Sequence, residues 1–252
     1  MVLKRMINRL MVGTMVLLLV SCSGGSKVKK EDRAVSAEEH FQLGFNAAER
    51  GNLVEAVSEY QKVLKLDPKH LKTHLNLGNV YGRQGKWKEE VTEYKRVLSI
   101  DPKFSEAYFN LGVAYSGRGD LNEALTQYQK ALQINPNYVE AHNNLGIIYF
   151  RKGKIDEALS EYRRSVEINP DYARGYYNIG SVYRQQGKIE EAMASFQKAL
   201  EINPKYGESH YMLAVLYFEK KEYAQAVQHC EQALKFGVTV DSNFLNGLKP
   251  YR

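Results

Sequence analysis

Cysteine is scarce in this chain, with only Cys22 and Cys230 in 252 residues. That excludes a disulfide-stapled scaffold and leaves no Cys/His pair for nucleophilic or zinc chemistry. No G-x-S-x-G nucleophile motif and no phosphate-cradling glycine loop occurs. There is no low-complexity tract. Basic residues are not gathered into a stripe with interleaved aromatics, so the formal net charge of +6 does not point to nucleic acid. An apolar run from Leu10 to Val20 is eleven residues long, short of the ~20 needed to span a bilayer. With 44% hydrophobic and 25% charged residues, the chain has the composition of a folded protein.

Proline is also sparse, but its placement is ordered. Pro68, Pro102, Pro136, Pro170 and Pro204 stand 34 residues apart. A fixed period of this size marks one supersecondary unit used repeatedly. With proline at position 32, six units run end to end over 37–70, 71–104, 105–138, 139–172, 173–206 and 207–240. Position 8 then reads Gly44, Gly78, Gly112, Gly146, Gly180 and Ala214. Position 15 reads Gly51, Gly85, Gly119, Gly153, Gly187 and Lys221. Position 20 is alanine in every unit but the second, which has Glu90. Position 24 reads Tyr60, Tyr94, Tyr128, Tyr162, Phe196 and Cys230.

Each unit has the pattern of two amphipathic helices. Tyr108, Leu111, Gly112 and Tyr115 share one face of a first helix at i, i+3, i+4 and i+7. Gly119 breaks it. Ala124, Tyr128, Ala131 and Leu132 mark one face of a second helix, which stops before Pro136 because the residue preceding proline is driven out of the α region. Glycine at position 8 and alanine at position 20 leave room for close helix approach. A lone hairpin cannot bury both its faces, so the units must stack. Glu90 is crowded and partly desolvated in its small column, and is expected to bend outward and weaken the second hairpin.

These columns resemble the tetratricopeptide repeat (TPR) family. The resemblance implies an all-α, right-handed solenoid of six helix-turn-helix repeats, with the first helix of each pair lining the concave face. Ser36 and Glu39 form a capping box for the first helix. The sixth unit is atypical, as expected of a terminal repeat. Asp241 is placed to start a short capping helix to about Leu248, in a cap and tail over 241–252, with Phe244, Leu245 and Leu248 covering the last apolar face.

Residues 1–21 have the form of a signal segment: basic Lys4, Arg5 and Arg9, then the apolar run. Ser21-Cys22 at its end resembles the bacterial lipoprotein signal, although an ordinary signal peptide or an uncleaved anchor with an incidental cysteine has the same outline. The lipoprotein resemblance implies that Cys22 is acylated and becomes the N-terminus, and that Ser23 after it directs the protein to the outer membrane, facing the periplasm. Loss of residues 1–21 would lower the net charge to +3. Residues 22–35 form a polar tether.

His40, His74, His142 and His210 share position 4. Equivalent positions in stacked units lie ~8–10 Å apart, too far for two bonds of ~2 Å to one zinc. No metal site or cofactor is expected. Repeats and cap account for nearly all of 37–248, so no enzyme is expected either.

A binding function falls to first-helix positions pointing away from the packing face. Position 6 carries Asn76, Asn110, Asn144 and Asn178, a ladder able to donate to and accept from an extended peptide, or simply to bond locally. It resembles the asparagine ladder of the O-linked N-acetylglucosamine transferases. Positions 5, 9 and 12 add an apolar stripe of Phe41, Phe45, Leu75, Phe109, Val113, Ile147, Phe150, Tyr177, Tyr211, Val215 and Phe218, exposed as a groove unless some of them pack on the next unit. Arg151, Arg174 and Arg184 lie alongside and favour an acidic or C-terminal carboxylate partner. The lysine at position 5 that carboxylate-clamp repeats require is missing. The leading expectation is a membrane-tethered scaffold for a protein or peptide partner. It resembles the lipoproteins that assemble pilus secretins or bring cell-wall hydrolases to their synthases. The alternative is a self-associating structural lipoprotein.

Overall fold

In the computed structural model residues 35–251 are described; the signal segment, Cys22 and the tether through residue 34 lie outside them. Twelve helices form six hairpins: α1 (Ala37–Glu49) with α2 (Leu53–Leu66), α3 (Leu71–Arg83) with α4 (Trp87–Ile100), α5 (Ser105–Arg118) with α6 (Leu121–Ile134), α7 (Val139–Arg151) with α8 (Ile155–Ile168), α9 (Ala173–Gln185) with α10 (Ile189–Ile202), and α11 (Gly207–Glu219) with α12 (Tyr223–Lys235). The short α13 (Ser242–Leu248) and a 3-10 turn (Lys249–Tyr251) follow. No strand occurs among the described residues, and no helix there is long and apolar enough to cross a membrane. Each second helix packs on its own partner and on the first helix of the next hairpin, the stacking of an all-α solenoid.

Local chemistry sets the ends of these helices. Ser36 Oγ accepts from Glu39 N at 3.2 Å while Glu39 Oε2 accepts from Ser36 N at 2.8 Å, closing the capping box on α1. Between the helices of each of the first five hairpins, glycine at position 15 takes positive φ, for example +85° at Gly119. The sixth turn forces the same backbone on Lys221, at φ 62°. Second helices end at Asp67, Asp101, Asn135, Asn169 and Asn203, all extended ahead of proline. Each of these side chains accepts from the amide two residues on, as Asp101 Oδ1 does from Lys103 N at 2.9 Å.

The position-8 glycines serve side-chain packing more than backbone approach. A Cβ on Gly78 would lie 2.5 Å from the Tyr94 ring, and one on Gly180 would lie 2.7 Å from Phe196. In the sixth unit both partners change: Ala214 meets Cys230, and both are fully buried. A larger residue is matched by a smaller one, so packing density is kept.

The two ends of the stack differ. Leu77, Leu111, Leu145 and Leu213 at position 7 are buried by the preceding hairpin, whereas Leu43, with no such neighbour among the described residues, is 47% exposed. At the far end Asp241 Oδ1 accepts from Asn243 N (2.9 Å) and Phe244 N (3.1 Å) to start α13. Leu248 is then fully buried with Ala226, Cys230 and Ala233, and Phe244 and Leu245 lie beside it.

Candidate functional site: the first-helix face

The asparagine ladder is built into the stack. Asn110 Nδ2 donates to Asn79 Oδ1 (3.4 Å), Asn144 Nδ2 to Tyr128 Oη (3.4 Å), and Asn178 Nδ2 to Asn143 Oδ1 (2.7 Å). The Asn76 amide lies beside the Tyr60 hydroxyl and pulls against the rise that burial gives its pKa. Every rung therefore reaches back to the preceding unit and ties neighbours together. Asn143, fully buried at position 5 of the fourth unit, exists to receive one of these bonds. Each asparagine retains part of its capacity, since an amide has two N–H donors and an acceptor oxygen.

The apolar stripe is not continuous, which corrects the expectation of an exposed groove along all six units. Phe41 packs between Tyr60 and His70, with ring centroids 5.9 and 5.4 Å away. Phe109 lies against Tyr128 (5.8 Å) and stacks on Tyr138 (4.8 Å). Tyr177 sits between Phe196 (5.6 Å) and Tyr206 (5.4 Å), and Tyr211 meets Phe244 edge-on. Leu75 is buried, and Phe218 packs on Tyr223 and Phe244. Position 5 is filled from its own second helix at position 24 and from the loop at position 34. The second of these columns, His70, Phe104, Tyr138, Tyr172, Tyr206 and Val240, went unread in the sequence. Phe45 and Val113 remain exposed, while Ile147 and Val215 are half-buried.

The arginines are also apart. Arg174 is in the first turn of α9, within hydrogen-bonding influence of Tyr172 and Tyr206. Arg184 is in the last turn, ten residues on and so roughly 15 Å along the helix. Arg151 lies where its charge acts on the Tyr128 and Tyr162 phenols. Burial pushes Tyr128 up to about 12, against the pull of the Asn144 hydrogen bond and of Arg151.

What the structure does bring together is a cup of about 440 Å³ lined by Phe150, Tyr177, Ser181, Arg184, Gln185 and Met212. All six come from first helices α7, α9 and α11. Arg184 crosses it, with Nη1 3.6 Å from Met212 Sδ and Nη2 3.6 Å from Glu219 Oε1. Two aromatic walls, a thioether, a hydroxyl, an amide and one guanidinium make a small mixed site suited to an apolar side chain beside a carboxylate or peptide carbonyl. Ser181, Gln185 and Met212 were missing from the sequence-derived set. The signal for Met212 was its departure from asparagine in the ladder column. A larger cleft of about 550 Å³ lies on the other side, between α2, α3 and α4, where Glu93 and Arg96 already pair at 2.7 Å.

The position-4 histidines are structural. His40, His74 and His142 each place Nδ1 2.6 Å from the position-23 carboxylate, Glu59, Glu93 and Glu161. Where position 4 is tyrosine, position 23 is uncharged: Gln127 opposite Tyr108, Ser195 opposite Tyr176. In the sixth unit His210 Nδ1 instead lies 2.9 Å from His229 Nδ1. His70 caps α3 by accepting from Thr73 N at 3.3 Å.

Glu90 also departs from expectation. Its carboxylate does not swing outward. It folds over Gly82, where an added Cβ would come within 2.7 Å of Oε1. Glycine at position 12 of that unit provides the space that alanine at position 20 provides elsewhere.

Comparison with curated proteins finds no match. Among solved structures, MamA protein is similar, with 31% identity over 68% of this chain and 94% of that one, at a TM-score of 0.57. PilF of Pseudomonas aeruginosa (18% identity, 86% of this chain, 97% of that chain, TM-score 0.73) shares the fold. So does a tetratricopeptide repeat protein from Parabacteroides merdae (22% identity, 85% of this chain, 86% of that chain, TM-score 0.67). With residues 21–237 matching the family described as the C-terminal domain of cilia and flagella-associated protein 70, this chain belongs to that tetratricopeptide repeat family, whose fold is a scaffold for protein interaction.

Proposed function

We propose that this protein is a membrane-tethered scaffold that holds an extended segment of a partner protein along its first-helix face, with the cup between α7 and α11 as the anchor point. The observation that carries the reading is the cup itself. Elsewhere along the stripe most of the aromatics are consumed by packing, but there Phe150, Tyr177 and Met212 surround open volume beside Arg184. An apolar anchor in the cup would remove apolar surface from water at about 25 cal/mol per Å². The Arg184 fork would fix register by a charge-assisted hydrogen bond.

The tether is part of the same proposal. Acylated Cys22 would attach the solenoid to a bacterial outer membrane, facing the periplasm. Each buried CH₂ contributes about 0.8 kcal/mol, so two or more chains anchor stably. The scaffold would serve assembly of an envelope complex such as a pilus or the cell-wall machinery.

The test is a crosslinked pull-down of the full chain from its native envelope, comparing wild type with Tyr177→Ala/Arg184→Glu. A partner held by wild type and lost from the variant, with oligomeric state unchanged, is the expected result. Identical captures would overturn the groove reading, and a variant that lost only self-association would favour the structural alternative. Separately, Cys22→Ala should move the protein from the membrane to the soluble fraction and abolish palmitate labelling.

A further inference from the structure

Glu90 has no ion-pair partner among the described residues. Glu90 comes from α4, yet its carboxyl group occupies the place of a position-12 side chain, because Gly82 leaves that place empty. Position 12 lines the cup in two later units, through Phe150 and Arg184. The second unit therefore departs from the repeat twice, and the two departures fit each other. Glycine stands where other units carry Ala48, Ser116, Phe150, Arg184 or Phe218, and glutamate stands where they carry alanine.

The carboxyl group is held in a polar cluster. Tyr94, buried, lies beside it, and the Tyr94 hydroxyl gives its one proton to Asn79 Oδ1 at 2.7 Å. Asn110 Nδ2 reaches the same Asn79 oxygen at 3.4 Å. Nearby cations are committed elsewhere. Arg83 Nη1 donates to Ala48 O at 2.8 Å, and Lys86 Nζ lies 5.8 Å over the Tyr81 ring. Half-buried and without a counter-charge, Glu90 is held above the ordinary carboxylate range by desolvation, with the neighbouring Tyr94 phenol acting the other way. A carboxylate in that state gains most from a cation brought to it.

We propose that Glu90, framed by Gly82, Asn79, Tyr94 and Asn110, is a binding site for one lysine or arginine side chain of the partner segment. It rests on the groove reading above and assigns the other end of that groove. From the second unit to the cup centred on the fifth is three steps of ~10 Å. An extended chain covers that in roughly nine residues at ~3.3 Å each. The preferred segment then carries a basic residue about nine positions from the apolar residue that fills the cup, with Arg184 and Glu90 imposing opposite charge preferences at the two ends.

The experiment selects a phage-displayed random dodecapeptide library on the full-length protein, on Glu90→Gln and on Arg184→Gln. Glu90→Gln keeps the shape and removes the charge. Peptides selected on wild type should carry lysine or arginine at one register. Replacing that residue by norleucine should weaken binding at least tenfold to wild type and less than twofold to Glu90→Gln. Arg184→Gln should keep the basic preference. If peptides bind but the basic preference is absent, or survives in Glu90→Gln, the Glu90 site is overturned and the groove stands. If no peptide is retained by the wild-type protein, the groove reading falls and the Glu90 site with it.

Discussion

His74 Nδ1 donates to Glu93 Oε2 at 2.6 Å while its Nε2 donates to the Pro68 carbonyl at 3.0 Å. A neutral imidazole has one N–H, so a ring facing an acceptor at both nitrogens is best satisfied as the cation. The same arrangement recurs at His142, with Glu161 at 2.6 Å and the Pro136 carbonyl at 2.9 Å. It joins the two helices of a hairpin to the loop that enters it.

The second hairpin should accordingly be more stable in mild acid. Burial alone would lower the His74 pKa. The Glu93 hydrogen bond, the Pro68 carbonyl and the carboxylate charge together outweigh burial and the opposing Arg96, and hold it above the ordinary 6.5. A raised folded-state pKa gives stability that is full below the unfolded value and is lost as pH rises through the raised one. We expect His74→Gln to cost about 2 kcal/mol in urea unfolding at low pH, the scale of a charged hydrogen bond. The cost should shrink steadily above neutrality. An equal cost in acid and base would refute the assignment.

The sixth hairpin should respond in the opposite sense. His210 and His229 meet head-on, with Nδ1 atoms 2.9 Å and ring centroids 5.1 Å apart, so one proton fits between them and a second is repelled. Burial, and then the charge of His210, depresses His229 to about 4. A depressed pKa gives stability that is present above the unfolded value of 6.5 and lost as pH falls toward about 4. Hydrogen-exchange protection of α12 should fall on mild acidification. His229→Glu, which restores the pairing found in the first, second and fourth units, should abolish that fall.

Lys221 holds a backbone that the other five turns give to glycine, at φ 62°. A left-handed conformation costs a non-glycine residue about 1–2 kcal/mol, partly offset by glycine's larger unfolded-state entropy. Lys221→Gly should therefore stabilise the protein by about 0.5 kcal/mol. Thermal denaturation checks this, and a lower melting temperature would contradict it.

The trade of Gly for Ala against Tyr for Cys in the sixth unit predicts a coupling. Gly180→Ala should cost about 1–3 kcal/mol, because the new methyl would lie 2.7 Å from the Phe196 ring. Phe196→Cys alone should cost about 3 kcal/mol through the cavity it leaves. Made together, reproducing the Ala214–Cys230 arrangement, they should cost less than their sum. A double-mutant cycle measures the difference.

Much of this could be read without a structure because it is local. Proline spacing, the glycine at each turn, the Ser36–Glu39 box and the Asp241 cap each act through backbone geometry within a few residues, and each helix end falls where those signals place it. The reading of the stripe went astray at Phe41 and Phe109 because helical periodicity says which face a side chain is on, not whether another element covers it. Their covers come from position 24 of the second helix and from the loop at position 34. The column pairing of His74 with Glu93 was also present in the sequence, as histidine opposite a carboxylate and tyrosine opposite a neutral residue, but at a separation that no helix period suggests.

The sequence by itself determined the repeat, its two helices and its stops, because hydrophobic period and turn stereochemistry are properties of short stretches of chain. Only the tertiary structure decided which side chains remain available to a partner. Packing one helix on the next engaged part of each asparagine amide and most of the aromatic stripe, left the cup beside Arg184 open, and let Glu90 pass over Gly82. Those outcomes depend on distances between helices, which no single stretch of chain contains.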